Sequence, residues 1–178
     1  MLVGVGNNAN IIYLVDFSIS EQYRNPDTHV HIIPSPAADS FVGTPAFASI
    51  NSHLGIELGR RDDLESLVYI LIYLFRGCLP WLDGEVASAN MALNMKRDID
   101  ELCHNLPGEF RQMLDHLRSL AFHAKPNYDY LRALVRKLRT YSSGAQDVFP
   151  DWLLEARAET SVLHRLDTIT VAEPHSHS

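Results

Sequence analysis

The first carboxylate in a suggestive setting is Asp16, at the end of the apolar run Tyr13-Leu14-Val15 and followed by Phe17 and Ser18 as the chain enters a long loop. An aspartate that closes a strand is commonplace and by itself commits the chain to no reaction. Gly4-Val5-Gly6 is short and glycine-rich like a phosphate-binding loop, but it is neither a GxGxxG fingerprint nor the opening of a helix. A hairpin turn is its expected role. The nine histidines include the pairs His29/His31 and His175/His177, and neither pair has a third ligand at a spacing suited to zinc, so no metal site is expected there. Cys78 and Cys103 lie in unrelated apolar contexts beside helix ends and are expected to be core thiols, with neither a disulfide nor a CxxC site indicated. Arg60-Arg61-Asp62-Asp63 brings two cations and two carboxylates to the start of a helix. The helix dipole favours the carboxylates there, and the arginines are expected to be solvated or salt-bridged rather than ligand-binding.

The elements that must position these residues are mostly helical. Segments 2–5 and 11–17 read as two short strands around an Asn-rich turn, a hairpin signal. Residues 18–44 lose periodicity and carry Pro26, Pro34 and Pro36, a stretch long enough to suggest a functional or mobile loop. Residues 60–76 form the strongest helix signal, opened by Asp62, Asp63 and Glu65 and closed by Arg76 before Gly77. Apolar residues from Leu64 to Phe75 cover nearly its whole circumference, which predicts burial on most sides. Further helices are expected at 86–97, 107–122, 128–141 and 151–158, and the polar tail 159–178 is expected to be disordered. The fold class is therefore mainly α, with a small β-hairpin at the N-terminus.

A chain of 178 residues that is 46% hydrophobic is long enough to build a core without disulfides or metals. Its net charge of -7 offers no overall electrostatic footprint for nucleic acid or anionic lipid, so neither is an expected partner. The most apolar run, 67–75, is far shorter than the roughly 20 residues a membrane-spanning helix needs. Residues 1–10 lack a signal-peptide pattern, and the sparse cysteines suit a reducing, intracellular compartment.

The order of several motifs carries more than any one of them. Gly43-Thr44-Pro45-Ala46-Phe47-Ala48-Ser49-Ile50-Asn51 is followed by His53-Leu54-Gly55, then Arg61-Asp62-Asp63-Leu64-Glu65-Ser66, then Arg76-Gly77-Cys78-Leu79-Pro80-Trp81. Leu106-Pro107-Gly108-Glu109-Phe110, Lys125-Pro126-Asn127-Tyr128-Asp129-Tyr130-Leu131-Arg132 and Phe149 to Trp152 continue the series. This succession closely resembles the casein kinase 1 family of serine/threonine protein kinases, over roughly residues 2 to 154. The resemblance implies a protein-kinase-like C-terminal lobe beginning just after the catalytic loop, with residues 1–158 a partial kinase domain. Tyr13 to Ser18 is then similar to the DFG element, whose carboxylate coordinates the Mg²⁺ that bridges ATP phosphates, with Ser18 in place of the glycine.

The same resemblance implies that Thr44 matches a threonine contacting the catalytic base. Asp63 matches the helix carboxylate that holds the catalytic-loop backbone, and Arg61 accompanies it structurally. The 178 residues contain no glycine-rich phosphate loop, no strand lysine and no HRD-type loop. Phosphoryl transfer depends on positioning and electrostatics from those parts, so Asp16 stands as a lone carboxylate and no Mg-ATP cofactor is expected for this chain. Ala46 occupies an arginine position of the family, Phe47 replaces tyrosine, and 82–101 is short and poor in lysine. The substrate anion site is accordingly expected to be lost at Ala46, because a phosphate needs charge-assisted donors. Two readings follow: a partial kinase domain inactive as this chain, or a non-catalytic, pseudokinase-like binding or regulatory module. Either leaves apolar surface that calls for a protein partner or the missing kinase lobe, and the family places such a protein in the cytoplasm or nucleus.

Overall fold

A computed structural model describes residues 1–9, 11–33, 44–82 and 89–142. The chain divides into two compact units, Met1–Ser20 with Ser142–Ser178, and Glu21–Tyr141. Among the described residues it is mainly helical with one antiparallel two-stranded hairpin.

In the first unit, β1 (Leu2–Val3) pairs with β2 (Ile12–Tyr13), Leu2 opposite Tyr13 and Val3 opposite Ile12. The strands are shorter than the apolar runs suggested. A 3₁₀ turn at Gly6–Asn8 folds back so closely that a Cβ on Gly4 would lie 2.2 Å from the Asn8 carbonyl oxygen. Only glycine fits at that point, and Gly6 takes a left-handed φ of 56° in the same turn.

The second unit is built around α2 (Arg60–Arg76). The helix starts where the sequence places it: the Gly59 N–H donates to Asp62 Oδ2 at 2.8 Å, which satisfies one of the donors left over at a helix N-terminus. It stops at Gly77, whose φ of 82° is left-handed and whose N–H donates to the Tyr73 carbonyl. Before it lies α1 (Ile50–His53), capped by Ser49 Oγ accepting from Ser52 N–H at 3.1 Å. After it come α3 (Ala89–Arg97), α4 (Ile99–Leu102), α5 (Gly108–Ser119) and α6 (Tyr128–Ser142). The one-turn helix α4 is absent from the sequence reading, and α5 is shorter at both ends than 107–122. Residues 86–88, the expected 151–158 helix and the 159–178 tail lie outside the described residues.

Apolar residues recurring at helical spacing make the core. Phe110, Met113, Leu114 and Leu117 of α5 face Val68, Tyr69 and Ile72 of α2, while Leu131, Leu134 and Leu138 of α6 close the same cluster with Leu79, Trp81, Ala92 and Leu102. Helix α2 is not buried on most sides as its composition suggests: Leu67, Tyr73, Leu74 and Phe75 are exposed, Leu74 to 61%. Tyr73 and Phe75 keep one ring contact each, with Phe47 and with Phe110 of α5, while Leu67 and Leu74 are left exposed. Cys78 corrects a second expectation, since the left-handed turn at Gly77 carries it outward and its thiol is exposed.

Candidate functional site

Asp16 belongs to the first unit and stands beyond β2 with a left-handed φ of 64°, which aspartate tolerates better than most residues. Its Oδ1 accepts from Ser18 Oγ at 2.7 Å and from Ser18 N–H at 3.4 Å. The Ser18 hydroxyl, and secondarily its N–H, hold this fully exposed carboxyl below the usual aspartate range. Serine in the glycine position thus occupies one of the two carboxylate oxygens, Oδ1. Mg²⁺ demands a near-octahedral set of oxygens. Among the described residues no group of three or more His, Cys, Asp or Glu could hold a metal ion. Asp16 therefore stands, among the described residues, as a single carboxylate with Ser18 on one of its oxygens.

The other sequence-selected residues lie in the second unit, on the segment 44–52 and the first turn of α2. Thr44 is exposed, and its carbonyl accepts from Phe47 N–H and Ala48 N–H, forming a tight turn. Ala46 is half-buried and presents a methyl group where an anion site would need a donor; its carbonyl accepts from Trp81 Nε1 at 2.8 Å. Phe47 packs edge-on against Tyr73 with ring centroids 5.9 Å apart.

The two carboxylates of α2 have different surroundings. Asp62 is buried and takes both of its hydrogen bonds from the chain leading into the helix, Asn51 Nδ2 and Gly59 N–H, each at 2.8 Å. Asp63 is exposed and has no hydrogen bond among the described residues, yet desolvation by the helix and then the charge of Asp62 raise its pKa. Arg61 donates through Nη1 to the Leu120 carbonyl, and its Nε sits 3.6 Å from Asp62 Oδ2, too far to bond. Arg60 donates to the His123 carbonyl and lies over the Tyr23 ring, 4.5 Å from its centroid. Both arginines therefore tie the helix start to the 120–123 turn rather than presenting an open fork.

Sequence reasoning missed the most concentrated chemistry in the chain. Lys96, in the last turn of α3, is completely buried. Its three N–H donors reach the Pro45 carbonyl (2.8 Å), the Ala48 carbonyl (2.8 Å) and His53 Nε2 (2.9 Å). The ammonium also lies 5.1 Å from the Tyr69 ring centroid and 4.9 Å from that of Trp81, rings that themselves meet edge to face. Beneath it, buried Glu65 Oε1 accepts from the Tyr69 hydroxyl at 2.6 Å and from Arg118 Nε at 3.2 Å. Arg118 Nη2 donates to the Tyr69 hydroxyl and to the Lys96 carbonyl. Burial pushes the Lys96 pKa down to about 8 against the opposing pull of Glu65, and burial followed by the Glu65 charge raises that of Tyr69.

A signal for this role does exist in the sequence. Lys96 is one turn after Ala92 and Leu93, both buried, so it lies on the apolar stripe of α3. A cleft of about 200 Å³ opens above Glu65 between Ile50, Asn51, Arg61, Leu117 and Arg118, with Arg118 already committed to the network below. The arrangement fixes the backbone of residues 45–48, with all three N–H donors of Lys96 committed. Among the described residues no helix is long and apolar enough to cross a membrane. No model of a known protein family matches the chain.

Proposed function

We propose that this chain carries the part of a casein kinase 1-like serine/threonine kinase lobe that follows the catalytic loop, and that it transfers no phosphate by itself. One observation carries the reading: the motifs from Gly43 through Trp81 and on to Arg132 occur in the family's order. Three structural features support it. The RRDDLES run opens the central helix α2, the Thr44–Ala48 turn is pinned against that helix and α3, and the chain is mainly helical behind a short hairpin. In the intact family the reaction moves the γ-phosphate of ATP onto a protein Ser or Thr. Among the described residues Asp16 has no companion ligands, Asp63 has no hydrogen bond, and Ala46 offers no charge to an acidic substrate.

An experimental structure of the full chain tests this reading. It should superpose α2, α5, α6 and the 44–52 segment on the large lobe of a casein kinase 1, in the same order and hand. A different helix arrangement would overturn it.

The second reading, a non-catalytic binding or regulatory module, is favoured by the exposed Leu67, Leu74 and Phe75 on α2, an apolar face of the kind that marks partner sites. Mapping the 5′ end of the transcript separates the two. Upstream codons for a glycine-rich loop and an HRD element support the kinase fragment, and their absence supports the binding module.

A further inference from the structure

We propose that Lys96 and His53 form a proton-sharing latch that fastens the backbone of residues 45–48 onto α2 and α3, and that a second proton on the pair releases it. The geometry sets the condition. A nitrogen-to-nitrogen hydrogen bond needs a lone pair on one side, and neither an ammonium nor an imidazolium has one. At 2.9 Å, Lys96 Nζ and His53 Nε2 are therefore bonded only while the pair holds at least one proton fewer than its full complement. Around neutrality Lys96 keeps the charge, donates to the Pro45 and Ala48 carbonyls, and uses its third N–H on a neutral His53.

The charged and titratable groups facing the pair do not offset a second cation. From α2 come Glu65 and Tyr69, from α5 comes Arg118, from α1 comes His53 itself, and Trp81 covers the ammonium with its ring. Glu65 is the sole anion of this set, and Arg118 already pairs with it at 3.2 Å. The Pro45 carbonyl hydrogen-bonds His53 and favours its protonation, but desolvation and then the Lys96 charge outweigh it and lower the His53 pKa. His53 is half-buried at the end of α1, so its proton arrives from solvent while Lys96 stays inside.

The sign follows directly. A histidine whose folded pKa lies below its ordinary 6.5 contributes stability that is fully present above 6.5 and is lost as pH falls toward the folded value. Acid therefore loosens the 45–48 turn ahead of the α2–α5 core. The latch exists whatever the chain's function; its use as a pH control on a substrate platform rests on the kinase-lobe reading.

Amide hydrogen exchange on the full chain between pH 8 and pH 5, corrected for intrinsic rates, tests the latch. The Phe47 and Ala48 amides, which donate to the Thr44 carbonyl, should lose protection on the order of tenfold per pH unit as pH falls below 6.5, levelling off once the folded His53 value is passed. Leu114 and Leu117 in the core should stay protected. His53→Gln keeps an acceptor for Lys96 but cannot titrate, so its Phe47 and Ala48 protection at pH 5 should equal that at pH 8. Unchanged exchange in the parent chain, the same acid opening in His53→Gln, or loss at Leu114 and Leu117 in step with Phe47 would each overturn the proposal. The His53 ring nitrogens give an independent readout by NMR: Nε2 should show an unprotonated, hydrogen-bonded shift at pH 7, and a protonated Nε2 there would also overturn it.

Discussion

Raising the pH from 8 to 10 should stabilise the second unit through Lys96. In the unfolded chain this lysine titrates at its ordinary 10.5, whereas in the fold burial lowers it to about 8. Between those values the unfolded chain binds the extra proton, so stability rises with pH. One pKa unit corresponds to about 1.36 kcal/mol, and integrating the two titrations from pH 8 to pH 10 gives a gain of about 2 kcal/mol. At a urea dependence of about 1–3 kcal/mol per molar, the midpoint should move upward by about 1–2 M. Two groups oppose the trend. Burial raises the Cys103 thiol above 9.0 and the Tyr69 hydroxyl above 10.0, so the unfolded chain sheds those protons first and stability falls as each ordinary value is passed. The comparison is therefore made between the Cys103→Ala chain and the same chain with Lys96→Met, at micromolar or lower concentration. The difference between the two isolates the lysine. A parent slope no steeper than that of Lys96→Met would refute the argument that this ammonium is held in a desolvated site.

Three further outcomes follow from the packing. Arg118→Met strands Glu65 as a buried, unpaired carboxylate and should cost about 3–5 kcal/mol in chemical denaturation, while adding Glu65→Leu should restore part of the loss; a cost below about 1 kcal/mol contradicts the network. Gly77→Ala must place a Cβ at a φ of 82° and should cost about 1–2 kcal/mol, although the position itself is spacious, so a neutral effect would show that the turn relaxes freely. Light scattering on the purified chain should detect self-association driven by exposed Leu74 and Phe75, reduced by Leu74→Lys; a monodisperse monomer in the parent chain counts against an uncovered face.

Local rules made much of the fold legible. The bounds of α2 follow from a carboxylate that reaches back to the Gly59 N–H and a glycine that ends the last turn. Those of α6 follow from Leu131, Leu134 and Leu138 recurring on one face. What escaped depends on partners distant in sequence. Lys96, beside Arg97 in a last helical turn, reads as a solvated cation, and its acceptors lie 43 to 51 residues away. The exposed far side of α2 escaped because composition reports how apolar a helix is and not what is present to cover it. Asp62 and Asp63 look equivalent in the sequence, yet 100° of helical rotation buries one against Asn51 and leaves the other exposed.

Phosphoryl transfer by the full chain addresses the central claim most directly. Purified residues 1–178, incubated with Mg²⁺ and γ-labelled ATP and with casein as acceptor, should release no labelled phosphate and label no protein above a protein-free control. Turnover that persists through purification and is abolished by Asp16→Asn would contradict the account, which gives Asp16 no catalytic part in this chain.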